Sequence, residues 1–196
     1  MSDFRSFTLY VLRHGECQHN VDGWAASHDD SPLTENGRNQ ARANARVLRD
    51  VAGRVDDLDY FASSLHRTCM TIELLRDELG LPMAGYRADR RLMELDLGDF
   101  TRTQHSALSR VIPEEFRSEP WKYVSPNGES DVMVYERVGR FLASLTRNSV
   151  IVTHSVPVSA IRAHYLGLSP EQAMGYHMGN AGVMRLSMGT EALFGR

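Results

Sequence analysis

Cysteine is scarce in this sequence: its 196 residues hold two, Cys17 and Cys69. Two thiols cannot build a disulfide framework, and neither stands in a C-x-x-C pair or a zinc-type cluster, so the chain fits a reducing compartment. Long apolar runs are missing as well. No stretch reaches the roughly 18 apolar residues of a membrane-spanning helix, and Met1 to Phe7 lacks the apolar core of a signal peptide. Positive charge is not in excess either. Lys and Arg number 22 against 25 Asp and Glu, a net charge of −3, whereas a nucleic-acid footprint calls for a strongly basic face. There is no internal repeat and no low-complexity segment. What remains is a soluble, cytoplasmic chain with neither nucleic acid nor membrane as partner. Its length suits a single domain over 1–196 with one sizeable core.

Strand-like and helix-like runs alternate along that length, the pattern of a mostly parallel sheet covered by helices. Thr8 to Leu12 is a short β-branched and aromatic run that reads as a buried strand. Thr34 can cap a helix from Glu35 to Arg49, with Ala41, Ala45, Val47 and Leu48 on or near one face. Asp59 to Ala62 reads as a second strand ending in Ser63 and Ser64, and His66 to Glu78 as a helix closed by Gly80 and Pro82. The stretch from Pro82 to Asp99 shows no clear period. Thr103 to Val111 and Ser130 to Leu145 are plausible helices on either side of a loop holding Pro120, Pro126 and Gly128. Ser149 to Thr153 is the third clear strand. Pro157 then opens a helix through Leu166, and Gly182 to Met188 can close the sheet as an edge strand.

The strand ends carry the chemistry, because ligands of such sheets bind beyond the carboxyl ends of the strands. The first strand stops on Arg13, His14, Gly15 and Glu16; the second on Ser63 and Ser64, with Arg67 one turn into the next helix; the third on His154 and Ser155. Glu94 lies between them in a segment rich in carboxylates. Two arginines, two histidines and a carboxylate make a compact cationic pocket suited to a phosphoryl group. Arginine's rigid fork matches phosphoryl oxygens bidentately. A neutral imidazole, His14 or His154, can attack phosphorus and form a covalent intermediate. Glu94 can protonate the leaving alkoxide and then deprotonate water. This chemistry calls for no metal and no cofactor.

Six ordered motifs carry a resemblance that covers nearly the whole chain. Arg13-His14-Gly15-Glu16 followed by Asn20 resembles an R-H-G-E-x-x-x-N signature, and Asp30-Ser-Pro-Leu-Thr34 with Gly37, Gln40 and Ala41 resembles the block after it. Ser63-x-Leu65-x-Arg67-x-x-x-Thr71 is similar to a second-arginine motif, Leu92-x-Glu94 with Gly98 to an acid segment, Pro126-x-Gly128-Glu129-Ser130 to the next, and Val152-Thr153-His154 to the last. Together they resemble the histidine phosphatase superfamily, in the branch similar to cofactor-dependent phosphoglycerate mutase. The resemblance implies a three-layer α/β/α sandwich around a mostly parallel sheet. It makes His14 the phosphorylated nucleophile and Glu94 the proton donor. Arg13, Arg67 and His154 would bind the phosphoryl oxygens, with Asn20, Gly23 and Ser155 also on the substrate pocket. His19, His28, His66, His105, His164 and His177 are read as surface or packing residues.

Phosphatase and mutase share this machinery and differ in what accepts the phosphoryl group. A mutase needs a longer and more basic cover to exclude water. Here the covering segment, about 99–128, is short and carries Arg102, Arg110, Arg117 and Lys122 against Glu114, Glu115 and Glu119. The expectation is therefore a metal-independent phosphomonoester hydrolase with a small phosphorylated metabolite as its partner. Mutase-type transfer and a non-catalytic phospho-ligand module on the same fold stand as alternatives, and a homodimer is left open. A cysteine-based phosphatase does not fit, since neither Cys17 nor Cys69 has an arginine six residues on. Two departures bear on substrate choice: Ser155 replaces the usual small Gly or Ala, and Thr101-Arg102 stands where many relatives carry Glu-Gly.

Overall fold

The computed structural model describes residues 3–195. The expected domain over 1–196 and the reading of Met1 onward thus include residues 1, 2 and 196, which lie outside the described residues. In chain order the elements are β1 (Leu9–Arg13), α1 (Gln18–Asp22), α2 (Glu35–Ala52), β2 (Asp59–Ser63), α3 (His66–Glu78), β3 (Arg87–Asp89), α4 (His105–Val111), α5 (Asp131–Leu142), β4 (Ser149–Thr153), α6 (Ser155–Leu166), α7 (Pro170–Ala173), β5 (Val183–Ser187) and β6 (Thr190–Phe194). Six strands form one sheet in the order β3-β2-β4-β1-β5-β6. The strands β3, β2, β4 and β1 run parallel. β5 and β6 are antiparallel to their neighbours.

Side-chain alternation along the strands builds the three layers. Leu9, Val11, Phe61 and Ile151 point to one face and pack with Val138, Phe141 and Leu142 of α5 and Ile161 of α6. Tyr10, Leu12, Tyr60, Ala62, Val150 and Val152 point to the other, against Ala45 and Leu48 of α2 and Ile72 and Leu75 of α3. β4 is buried along its whole length. Covering helices on both faces explain why the central strands are continuous apolar runs rather than alternating ones.

Local sequence sets most boundaries. Thr34 caps α2 by accepting the Gly37 N–H at 3.0 Å, and Ser130 caps α5 by accepting from Met133 at 3.3 Å. α2 continues to Ala52 rather than stopping at Arg49, and α5 ends at Leu142 rather than Leu145. Pro157 falls in the first turn of α6, where its missing N–H removes no helical bond. The segment from Pro82 to Asp99 forms β3 followed by two short 3-10 turns, too brief to show a period. One expectation is corrected: Gly182 to Met188 is not the edge. Met188 (φ 49) and Gly189 (φ 72) both adopt left-handed backbone, and the resulting tight hairpin turns β6 back over β5.

One close crossing ties the first motif to the second. A Cβ on Gly15 would lie 2.3 Å from the Gly37 carbonyl oxygen, and one on Gly37 would lie 2.0 Å from that of Glu16. The loop after β1 can therefore touch the first turn of α2 only because both positions are glycine. Glu16 turns outward into this contact: its carboxylate accepts from Thr34 Oγ at 2.7 Å and Asn36 Nδ2 at 3.1 Å, so it anchors α2.

Candidate active site

β1 and β4 are paired in parallel, with Arg13 beside Thr153, so the next residues, His14 and His154, leave the sheet together. Their ring centroids are 5.2 Å apart. Both are buried, with His154 fully enclosed. His14 Nδ1 lies 2.8 Å from the Gly15 carbonyl oxygen. A carbonyl can only accept, so Nδ1 carries the proton and Nε2 keeps its lone pair. Burial, reinforced by Arg67 and Arg13, holds the His14 pKa well below the usual histidine value, which keeps the ring neutral.

His154 is held by a side chain rather than by a backbone carbonyl. Its Nε2 lies 2.8 Å from Ser63 Oγ, at the end of β2. The Leu65 N–H donates to the same oxygen at 3.3 Å, so the Ser63 hydroxyl still has one lone pair and its hydrogen to offer the ring. When the hydroxyl donates to Nε2 the ring proton stands on Nδ1, and Nδ1 has no protein partner although it is buried. Burial first, then Arg67, His14 and Arg13, lower the His154 pKa well below the usual value.

The arginines are held by oxygens that leave part of each guanidinium unused. Arg67 is buried in the first turn of α3. It donates from Nη1 to the Asp29 carbonyl and Asp30 Oδ1, each at 3.1 Å, and from Nη2 to the Ser27 carbonyl at 2.8 Å. Asp30 also caps α3, accepting the N–H groups of His66 at 2.6 Å and Arg67 at 3.2 Å. Arg13 donates from Nη1 to the Met178 carbonyl at 3.2 Å. Among the described residues, the buried side-chain nitrogens without a partner are Arg13 Nε, Arg67 Nε, His154 Nδ1 and His19 Nδ1. Three of these four belong to the expected site. Unpaired buried donors are costly, and several in one site mark a place where a ligand completes them.

Glu94 is locked at the N-terminus of α6. Its Oε2 accepts the Ser155 N–H at 3.1 Å, and its Oε1 accepts those of Val156 at 3.2 Å and Leu95 at 3.0 Å. Its backbone is fixed from behind: the Glu94 carbonyl accepts from Arg137 Nη2 at 2.9 Å and His28 Nε2 at 2.8 Å, and Arg137 forms a two-point pair with Glu129. His28 is therefore a support for Glu94 rather than a plain surface residue.

Arg13, His14, Asn20, Arg67, Glu94 and Ser155 line one cavity of about 420 Å³. Asn20 Oδ1 is occupied by the Cys17 N–H at 3.1 Å, so its NH2 is what it can offer a ligand. Gly23 stands apart from the lining. With φ 74 it ends α1, and its carbonyl accepts the His105 N–H at 3.0 Å, so it steadies the wall instead. The sequence reading missed Trp24, Leu108, His105 and His177 on the cavity wall. No local signal marks them; His105 and Leu108 arrive because residues 23–25 and 102–105 are laced together by backbone bonds. Of the segment 99–128, His105 and Leu108 are the lining residues. Arg102, at the departure from Glu-Gly, keeps the left-handed conformation a glycine adopts easily (φ 65) and pairs with Asp29 at 2.5 Å.

The model of the histidine phosphatase superfamily (branch 1) matches residues 9–193. The chain belongs to that superfamily. Within it, the chain is 31% identical over 174 residues to the adenosylcobalamin/alpha-ribazole phosphatase of Escherichia coli, covering 85% of this chain and 82% of the relative. It is 28% identical to the 2,3-bisphosphoglycerate-dependent phosphoglycerate mutase of Thermoplasma acidophilum, covering 87% and 82%. The solved structure of a mycobacterial glucosyl-3-phosphoglycerate phosphatase superposes with a TM-score of 0.75 at 29% identity, covering 91% and 89%. The chain spans about a third of some longer relatives: 31% of the human 6-phosphofructo-2-kinase/fructose-2,6-bisphosphatase 3. This histidine phosphatase fold thus brings the ends of β1, β2 and β4 to one cavity, as its strand order requires. Among the described residues no helix is long and apolar enough to cross a membrane.

Proposed function

We propose that this histidine phosphatase hydrolyses phosphomonoesters of small metabolites through a phosphohistidine at His14. The observation that carries this is the His14 Nδ1–H bond to the Gly15 carbonyl at 2.8 Å, which aims a neutral Nε2 lone pair from between two arginines. Nε2 attacks phosphorus as the bond to the leaving oxygen breaks. Arg13, Arg67 and the Nδ1–H of His154 take the charge on the equatorial oxygens. Glu94, in its acid form, gives its proton to the leaving alkoxide. The resulting carboxylate then takes a proton from water, and the hydroxide attacks phosphorus to release phosphate and restore His14.

Hydrolysis is favoured over mutase transfer because Arg13 and Arg67 are the cationic side chains on the cavity wall, and both serve the phosphoryl group. A bisphosphorylated or carboxylate-bearing substrate would need a further clamp. The partner in this reading is a small phosphorylated substrate, and the free thiols of Cys17 and Cys69 suit a cytoplasmic setting. The deciding experiment is hydrolysis of an aryl phosphate in the presence of EDTA, with acid-quench trapping of labelled protein. Wild-type protein is expected to turn over and carry label, and His14→Ala to do neither. Turnover that survives in His14→Ala would remove the phosphohistidine from the mechanism.

A further inference from the structure

Next to the active-site cavity lies a second chamber of about 280 Å³, lined from α5, α6, α7 and the segment after α7. The two share three lining residues, Ser155, Val156 and His177. Ser155 Oγ and His177 Nδ1 are 3.5 Å apart, so a single weak contact stands at their common border. Ser155 is also one of the two departures from the family pattern. The proton-donor candidate Glu94 is held by the N–H groups of Ser155 and Val156 at this same border, which is where the leaving oxygen of a phosphomonoester has to sit.

The chamber's chemistry is selective. Tyr135, Val156, Ala160, Ala173 and Met174 give it an apolar wall, and no lysine or arginine lines it among the described residues. Tyr135 is rigid, stacked on His164 at 3.7 Å with its hydroxyl donating to the Leu168 carbonyl at 2.9 Å. The charged group on the wall is the Asp131 carboxyl, which repels a second anionic group. An apolar cavity of roughly 150 Å³ already holds benzene, so this chamber can take a ring with its linker.

We propose that the second chamber is the subsite for the alcohol part of the substrate, and that it selects monophosphate esters of uncharged, ring-bearing apolar alcohols. This rests on the hydrolase reading above and narrows it: the phosphoryl group sits at His14 and the chain of the alcohol passes the Ser155–His177 border. Met174, partly exposed at the chamber wall, can be enlarged without disturbing the core.

The test compares 4-phenylbutyl phosphate with ethyl phosphate, whose leaving alcohols have similar acidity, in the wild type, Met174→Trp and Ala173→Leu. The wild type is expected to favour the phenylbutyl ester at least tenfold in kcat/KM, through KM. Each chamber-filling variant is expected to cut that preference about tenfold. A preference unchanged in both variants, or the same loss for both esters, would place the alcohol elsewhere and overturn the proposal while leaving the hydrolase reading intact. A wild type that turns over an aryl phosphate but neither ester overturns this proposal and leaves the hydrolase reading intact, whereas one that turns over none of the three removes both.

Discussion

Ser63 Oγ lies 2.8 Å from His154 Nε2 and takes the N–H of Leu65 on its other side. A serine at the end of β2 thus orients the ring of a histidine at the end of β4, and its hydroxyl hydrogen, when given to Nε2, leaves the ring proton on Nδ1. Without the hydroxyl, the buried ring can place its proton on either nitrogen, and only one tautomer donates toward a phosphoryl oxygen. Partners that orient metal-bound histidines matter about 10–100-fold, and the same order is expected for this serine–histidine pair. Ser63→Ala is expected to lower kcat/KM by about that factor, with kcat carrying the loss, and also to cost about 1–3 kcal/mol of stability because the buried Leu65 N–H loses its acceptor. Steady-state kinetics beside a melting curve separates this from simple destabilisation.

Glu94 accepts three backbone N–H groups and is the carboxylate on the cavity wall. If it protonates the leaving oxygen, its removal matters most when that oxygen is a poor leaving group. Glu94→Gln is expected to slow alkyl phosphates by roughly 10²–10⁴ and a nitrophenyl phosphate much less in the phosphorylation step. Equal losses on both substrates in single-turnover measurements would assign the acid role to another group.

Both His14 and His154 are buried with pKa values held well below the ordinary 6.5. In the unfolded chain they take up protons as pH falls through that value, whereas in the folded protein they resist. The stability tied to their neutral forms is therefore complete above about pH 6.5 and drains away below it, at about 1.4 kcal/mol per pH unit for each ring. Urea midpoints between pH 7.5 and 5.5 are expected to fall in the wild type and to fall less in His154→Gln. Saturating inorganic phosphate, bound only by the folded state, should raise the midpoint.

Asp131 has the opposite linkage. Burial, with a smaller contribution from Glu94, pushes its carboxyl up to about 6 from the ordinary 3.8. The folded state holds that proton between pH 3.8 and 6, so the ionised carboxylate costs stability above pH 6 and nothing below 3.8. Asp131→Asn is expected to stabilise the protein by roughly 1–3 kcal/mol near pH 7.5 and to leave it unchanged near pH 4. Denaturation midpoints at the two pH values test both the sign and the size.

What the sequence determined by itself is what local forces decide. Apolar runs, caps at Thr34 and Ser130, and the residues that end β1, β2 and β4 are set within a few neighbours along the chain. Arg13, His14 and Ser155, with Arg67 one turn beyond β2, were legible for that reason, since a parallel sheet carries its strand ends to one rim; Glu94 was read from its carboxylate-rich segment, and Asn20 from its motif alone. Short elements were not: β3 and α7 bury too few residues to show a period. The tertiary structure alone decided where side chains meet. It turned Glu16 toward α2, brought His105 and His177 to the cavity wall, and placed Arg137 behind Glu94. It also fixed the His14 tautomer through Gly15, oriented His154 through Ser63 and opened a second chamber beside Ser155. These depend on distances between residues far apart in the chain, Ser63 and His154 being 91 positions apart, and only the completed packing of the chain sets such distances.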